Sequence, residues 1–405
     1  MLKRYTSYIM AIVFALAVSA CGKTETEKND APKDEPVAQA PAAEAPAATA
    51  AANPVPANVA PNPTLPAHPT GAVIANLPKF TVAWSEYTTW SLLAASHQAG
   101  LINGEEGKQG EYERKNGVDI VFAQSDYGKT MEQYQGGTVD AVLITNTDAL
   151  SVAKSRFDTV KDASVAVFPT SDSEGADQIQ TNPDIKTWAQ LKGVPVFGDE
   201  MSVSRYLHWR GCTINKCDIK DYPFMNLNPV DGSTQFAAKD KSMRAFVGWS
   251  PETLKVKAAR PEVVSLFNSS MIGKYEITDM FVVGQSALDR PGGKEAVKAI
   301  AEAYTTMVNR VQNPTTESAT LAAVSKNFSN TAPDVIKLAL TLTLAIKPDQ
   351  AQAVFSSPEF KASIPLTDEF SRTVTKSIPG PVPTAFGTKA EAPSAVLRFD
   401  ASYLN

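Results

Sequence analysis

Polar and aromatic side chains gather at the ends of short apolar runs in this 405-residue chain. Trp84 ends the run 79–84, and Ser85 and Glu86 follow it, with Tyr87 and Trp90 a little further on. Gln124, Ser125 and Asp126 follow the run 118–123, and Thr145, Asn146, Thr147 and Asp148 follow the run 139–145. Asp172, Ser173 and Asp177 come after the run 164–168. Further on, Glu200, Ser202, Ser204 and Arg205 follow 194–197, Trp249 and Ser250 close 244–249, and Asp279 opens 279–283. Indole rings stack on flat or cationic groups, and hydroxyls and carboxylates take hydrogen bonds. That is the chemistry of holding a small molecule. The sequence has no Gly-Lys-Ser phosphate loop, Ser/His/Asp spacing, His-Glu-x-x-His pair or Cys/His metal spacing. No catalytic residue, cofactor or metal is expected.

Each of these positions has a plainer role open to it. Trp84 could be a core residue, Asp126 and Ser202 helix caps, and Asp148 a partner of a helix dipole. Gly175 could simply let the backbone turn. His97 and His208 lie in helical patterns and are expected to be structural. The charge of a ligand also stays open. Exposed N–H groups at a helix start near Ser202, with Arg205 beside them, would suit an anion. Glu86, Asp148, Asp172 and Glu200 would suit an amine. The acids outnumber the single arginine, which tilts the expectation towards an amine-bearing or zwitterionic molecule.

Residues 1–20 carry Lys3 and Arg4, an apolar stretch at 9–18, then Ser19 and Ala20. A basic start, a short apolar core and small residues make a secretory signal peptide. The apolar stretch is too short to serve comfortably as a permanent membrane span. Residues 23–36 are rich in Lys, Glu, Asp and Thr, and 37–69 are mostly Ala and Pro. Such a segment buries too little to offset its ordering entropy, so 21–76 is expected to be a disordered tether. The net charge of −5 and pI near 5.5 argue against a nucleic-acid partner. Of three cysteines, Cys212 and Cys217 form a close pair, for which a local disulfide is expected outside the cytoplasm. Zinc, with His208 nearby, or two free thiols are the alternatives.

From residue 77 the chain alternates strand-like and helical patterns, with strands expected at 79–84, 118–123, 139–145 and 164–168. Helices are expected between them at 91–99, 128–135 and 147–154. The order repeats with strands at 194–197, 222–227, 244–249, 263–267 and 279–283, and helices at 188–191, 202–210, 231–238 and 251–259. From 294 onwards the pattern is mainly helical. Alternation of this kind predicts βαβ units and parallel sheets. Open α/β sheets bind ligands outside the carboxyl ends of their strands, where the polar clusters fall.

Val-Ser-Ala-Cys at 18–21 resembles the lipobox of bacterial lipoproteins. This implies a diacylglyceryl group on Cys21 and a membrane anchor through that lipid. The body resembles the substrate-binding proteins of bacterial ABC importers, in the nitrate, taurine, sulfonate and thiamine-precursor group. The segments that carry it are Val82-Ala83-Trp84-Ser85, Gly117-Val118-Asp119-Ile120-Val121, Gly136-Gly137-Thr138-Val139-Asp140-Ala141 and Thr145-Asn146-Thr147-Asp148. Asp172 to Asp177, Leu191-Lys192-Gly193-Val194-Pro195-Val196 and Gly248-Trp249-Ser250-Pro251 complete the series. Each motif is weak alone, and their order over 79–283 is specific.

The resemblance implies an α/β, two-lobed, type II periplasmic-binding-protein-like fold with two hinge crossings and a mainly helical C-terminal part. Lobe one would hold 78–170 and 275–405, and lobe two 171–274. The ligand-binding residues expected are Trp84, Ser85, Glu86, Ser125, Thr145, Asn146, Ser173, Glu200, Ser202, Arg205, Trp249, Ser250 and Asp279. The implied role is an extracytoplasmic monomer that captures a small polar molecule and delivers it to an ABC permease and its ATPase. A sensor or scaffold acting through a membrane partner is the alternative. A thiamine-pyrimidine-synthase-like enzyme fits less well, because the family ties that activity to a histidine- and cysteine-rich site, and this chain has three histidines.

Overall fold

A computed structural model describes residues 73–405 of the chain. The expected signal peptide, the acylated Cys21 and nearly all of the tether lie outside the described residues. Among the described residues, thirteen strands form two sheets. In chain order, β1 (Lys79–Trp84), β2 (Asp119–Gln124), β3 (Ala141–Thr145) and β4 (Ser164–Ser173) come first. They are followed by β5 (Gln178–Thr181), β6 (Val196–Gly198), β7 (Phe224–Asn226), β8 (Ala245–Gly248) and β9 (Val264–Asn268). The chain then returns through β10 (Thr278–Gly284), β11 (Thr343–Ala345), β12 (Thr384–Phe386) and β13 (Leu397–Phe399).

The first sheet has the order β12-β13-β4-β10-β3-β1-β2, with β11 paired to β4. The second has the order β7-β6-β8-β5-β9. Each sheet carries its own apolar core, so the body is two-lobed. The sheets are mixed rather than parallel throughout. β1 pairs in parallel with β2 and β3, as the βαβ pattern predicts. β10 runs antiparallel to both β3 and β4, because β4 leaves for lobe two and β10 is the strand that comes back.

Strand β3 reads Ala-Val-Leu-Ile-Thr and is buried along its whole length, as a central strand covered on both faces should be. The helix after it, Asn146–Val160, runs well past the expected end at 154 and stops where Lys161 turns left-handed. The first helix covers Thr88–Ala94, earlier than the 91–99 expected, and it is buried throughout. β5 and the short strands β11 to β13 were not expected. At three or four residues each, they are too brief to show a period.

The chain passes between lobes at 174–177 and again at 269–277. Gly175, at φ +98, supplies the turn in the first passage. Its N–H donates to Ser269 Oγ at 2.8 Å, and Ser173 Oγ donates to Asp177 Oδ2 at 2.5 Å. The two passages are therefore tied to each other. A third link joins the lobes. The C-terminal helix Pro358–Thr373 places Ser363 beside Asn146 of lobe one, 3.2 Å away. The same helix puts Phe370 into the core of lobe two, with ring centroids 5.2 Å from Tyr206 and 5.6 Å from Trp209.

Cys212 and Cys217 depart from the expected disulfide: both are free thiols. The turn that ends the helix Val203–Ile214 directs the Cys217 N–H and its thiol onto the Cys212 carbonyl, at 3.0 and 3.2 Å. Burial, and then the adjoining Cys217 thiol, push the Cys212 thiol well above its ordinary range. The pair is held as hydrogen-bonded thiols.

Candidate functional site

The loops that follow β1, β2, β6 and β8 meet between the lobes around a cavity of about 370 Å³. Lobe one contributes Ser85, Glu86, Ser125 and Tyr127, and lobe two contributes Asp199, Val230, Trp249 and Glu252. A smaller inner pocket of about 30 Å³ adjoins it and shares Ser85, Glu86, Tyr127 and Trp249. Its remaining walls include Tyr87, Trp90, Thr145, Asp177 and Asp279. Both chambers lie at the carboxyl ends of strands, as an open α/β sheet requires.

Tyr127, which the sequence reading passed over, organises lobe one's side. Its hydroxyl lies 2.7 Å from Thr145 Oγ1 and donates to Asp148 Oδ2 at 2.8 Å. Thr145 Oγ1 also donates to Asp148 Oδ2 at 3.0 Å. These bonds fix the Tyr127 ring, which stacks on Trp90 at 5.6 Å between centroids. Trp90 in turn lies 5.0 Å from Tyr87. Trp249 reaches the cluster from lobe two, its centroid 6.5 Å from Tyr127 and its ring nearly perpendicular. Aromatic rings this close prefer such tilted and edge arrangements.

The carboxylates around this cluster are buried with little compensation. Asp279 accepts from Ser171 Oγ, and Asp177 from Ser173 Oγ, both at 2.5 Å. Burial pushes Asp148 and Asp172 up to about 7, and Asp177 up to about 6, each partly opposed by its hydrogen-bond donors. Asp279 is raised well above the carboxylate range, first by burial and further by Asp177, Asp172 and Asp148. Desolvation is the common cause, and of the four only Asp172 has a positive group, Lys274, acting on it. Glu86 is better served, accepting from Gln124 Nε2 at 3.2 Å and from Ser329 Oγ at 2.5 Å.

Seven of the expected site residues line the chambers or adjoin them through these bonds: Ser85, Glu86, Ser125, Thr145, Trp249 and Asp279 as walls, and Ser173 through Asp177. The others have structural work. Trp84 is 4 % exposed and sits among Val82, Leu93, Phe122 and Leu143, in a space with no room for a water. It alternates with Ala83 on β1 and falls on the face towards the core. Asn146 donates to Glu276 O at 3.1 Å and accepts from Thr278 N–H at 3.0 Å, pinning the returning passage. Ser250 is fully buried against Ala176 O and Thr253 Oγ1.

The expected anion device of lobe two is also absent from the cavity walls. Ser202 caps its own helix by accepting from Ser204 N–H at 3.2 Å. Arg205 lies over the Phe224 ring, 4.7 Å from its centroid, and contacts His208 Nδ1 at 3.1 Å. Glu200 is exposed, and its N–H donates to Asn226 Oδ1. Asp199, the residue before Glu200, lines the cavity in its place. Tyr127 and Asp199 were visible as residues just after strands. Val230 lies in the first turn of the helix Pro229–Ala237 and Ser329 in a turn, neither with a distinguishing signal. Among the described residues no cluster of metal-ligating side chains forms, and no helix is long and apolar enough to cross a membrane.

No protein-family model matches the sequence, and no curated protein matches it by sequence. Solved structures do resemble it. The alkanesulfonate-binding protein of Xanthomonas axonopodis pv. citri, bound to MOPS, superposes with a TM-score of 0.55 at 14 % identity, covering 75 % of this chain and 94 % of that one. The periplasmic aliphatic sulphonate-binding protein of Escherichia coli gives 0.54 at 16 % identity, covering 73 % and 92 %. The periplasmic nitrate-binding protein of Synechocystis PCC 6803 gives 0.51 at 12 % identity, covering 80 % and 92 %. The described chain thus has the two-lobed α/β fold of the periplasmic binding proteins, with a cavity enclosed by both lobes.

Proposed function

We propose that this protein captures a small polar solute outside the cytoplasm and delivers it to an ABC permease driven by its ATPase. The observation that carries this reading is the cavity walled by Glu86 and Tyr127 on one lobe and by Asp199 and Trp249 on the other. A solute that touches both walls at once favours the closed arrangement over the open one, which is the coupling a capture protein needs. The structural neighbours described as sulfonate- and nitrate-binding proteins support the same role. The signal-peptide pattern and lipobox-like residues 18–21 support delivery to the membrane surface, with acylated Cys21 as the anchor and 21–76 as the tether.

Two experiments test this. Small-angle scattering and tryptophan fluorescence should both report compaction when the correct solute is added, and co-purification should retain the permease. A chain that binds solute without any change of shape argues against capture by closure. Separately, Cys21→Ser should free the protein from membranes, and a variant that stays bound in high salt removes the lipid anchor from the proposal.

A further inference from the structure

Among the residues lining the two chambers there is no Lys, Arg or His, whereas six carboxylates line them: Glu86, Asp126, Asp177, Asp199, Glu252 and Asp279. Glu252 has its own cation, Lys255 Nζ at 2.7 Å. Asp177 and Asp279, in the inner pocket, have only serine hydroxyls as side-chain donors. An anion placed there would meet acidic groups and no countercharge. The arginine that could have offered one is turned away onto Phe224.

The aromatic walls point the same way. Tyr87, Trp90, Tyr127 and Trp249 surround the inner pocket beside these two carboxylates. Faces of such rings attract a cation through their quadrupole, most strongly where water is excluded. The Trp90 indole bears on whether a ligand is held there, not on its charge. Trp90 is 4 % exposed, lines the inner pocket, and its Nε1–H has no acceptor in the protein. A buried donor of that kind is usually satisfied, and an oxygen of a ligand would satisfy it. The inner pocket, at about 30 Å³, has room for one small group, and the outer chamber of about 370 Å³ takes the rest of a small molecule.

We infer that the solute of this cleft is a small organic cation, its ammonium group seated among Tyr87, Trp90, Tyr127 and Trp249 against Asp177 and Asp279. This deepens the capture reading and rests on it. The ligand charge is then opposite to that of the sulfonates and nitrate named for the structural neighbours. A cation also supplies what the buried carboxylates lack, a positive partner that returns them to their ionised form.

The test has two arms. In the first, calorimetric titrations at low salt compare choline and putrescine with ethanesulfonate and nitrate. In the second, native mass spectrometry of protein gently purified from its own cells identifies any retained molecule. Binding of either cation, or a retained amine, supports the inference. Trp249→Ala and the isosteric Asp279→Asn should then each weaken that cation by about tenfold or more while the unliganded fold persists. If Asp279→Asn fails to fold, Asp177→Asn replaces it. Binding of an anion alone, or a retained molecule without an amine, overturns the cation and leaves solute capture standing. No binding in the first arm and no retained molecule in the second overturn both.

Discussion

The rings of Tyr127 and Trp249 face each other edge to face across the cleft, 6.5 Å apart, one from each lobe. Trp249 thus stands in the cleft, whereas Trp84 is packed in the core of lobe one. The two tryptophans should therefore behave differently when truncated. Trp249→Ala should keep its melting temperature within a few degrees and lose solute affinity. Trp84→Ala should cost about 3–5 kcal/mol of stability, the range for a buried aromatic, and bind normally once folded. Thermal melts and titrations on both variants check this, and a strongly destabilised Trp249→Ala would place that residue in the core.

The cleft carboxylates set the pH dependence of the unliganded protein. Asp148, Asp172 and Asp177 all act on Asp279, Asp199 and Tyr127 face Asp148, Glu174 and Lys274 face Asp172, and Tyr87 faces Asp172, Asp177 and Asp279. Their folded-state values lie above the unfolded carboxylate value of about 4. A raised carboxyl favours the folded state when protonated. The stabilisation is complete below about pH 4 and is lost as pH rises through the folded values of about 6 and 7. Glu113, pushed up by burial to about 7, acts in the same direction. His208, lowered by burial to about 3, acts the other way, because the unfolded imidazole takes up a proton as pH falls through about 6.5, but it is one group against five raised carboxyls. The unliganded protein should melt at a higher temperature at pH 5 than at pH 8. A melting temperature that climbs steadily with pH over this range would show that the cleft carboxylates are already ionised.

Phe370 should couple stability to lobe motion. Its ring joins Tyr206 and Trp209 in lobe two, while Ser363, on the same helix, contacts Asn146 in lobe one. Phe370→Ala should cost about 3–5 kcal/mol through the cavity it leaves. It should also widen the distribution of lobe distances seen by paired spin labels. An unchanged distribution would mean that the helix is a passenger of lobe two rather than a link.

The free thiols give a simple chemical prediction. Reductant should leave the melting temperature unchanged, and alkylation of the denatured, unreduced protein should modify both Cys212 and Cys217. In the folded state Cys217, which is less buried, should react first. A drop in melting temperature on reduction would show a bond between them.

Much of lobe one was legible because its signals are local. β1, β2 and β3 are apolar runs closed by polar residues, and the helix between β2 and β3 ends at the Gly136–Gly137 pair, where the pattern says it should, whereas the helix Glu111–Asn116 before β2 was not expected. The rule that open α/β sheets bind at their carboxyl ends then pointed to Ser85, Glu86, Ser125, Thr145 and Trp249 from the chain alone, and the place of the return crossing pointed to Asp279. What local pattern could not say was which way each side chain would face. Trp84 and Ser85 are neighbours, and strand alternation sends one into the core and the other into the cleft. Arg205 and Asp199 both flank a helix start, and only the packing of Arg205 on Phe224 removes it and leaves Asp199 on the wall. The negative character of the cleft arises in the same way. Carboxylates far apart in sequence, Asp177 and Asp279 among them, converge where the chain leaves β4 and returns through β10. Their mutual field and shared burial exist only once the two strands lie side by side.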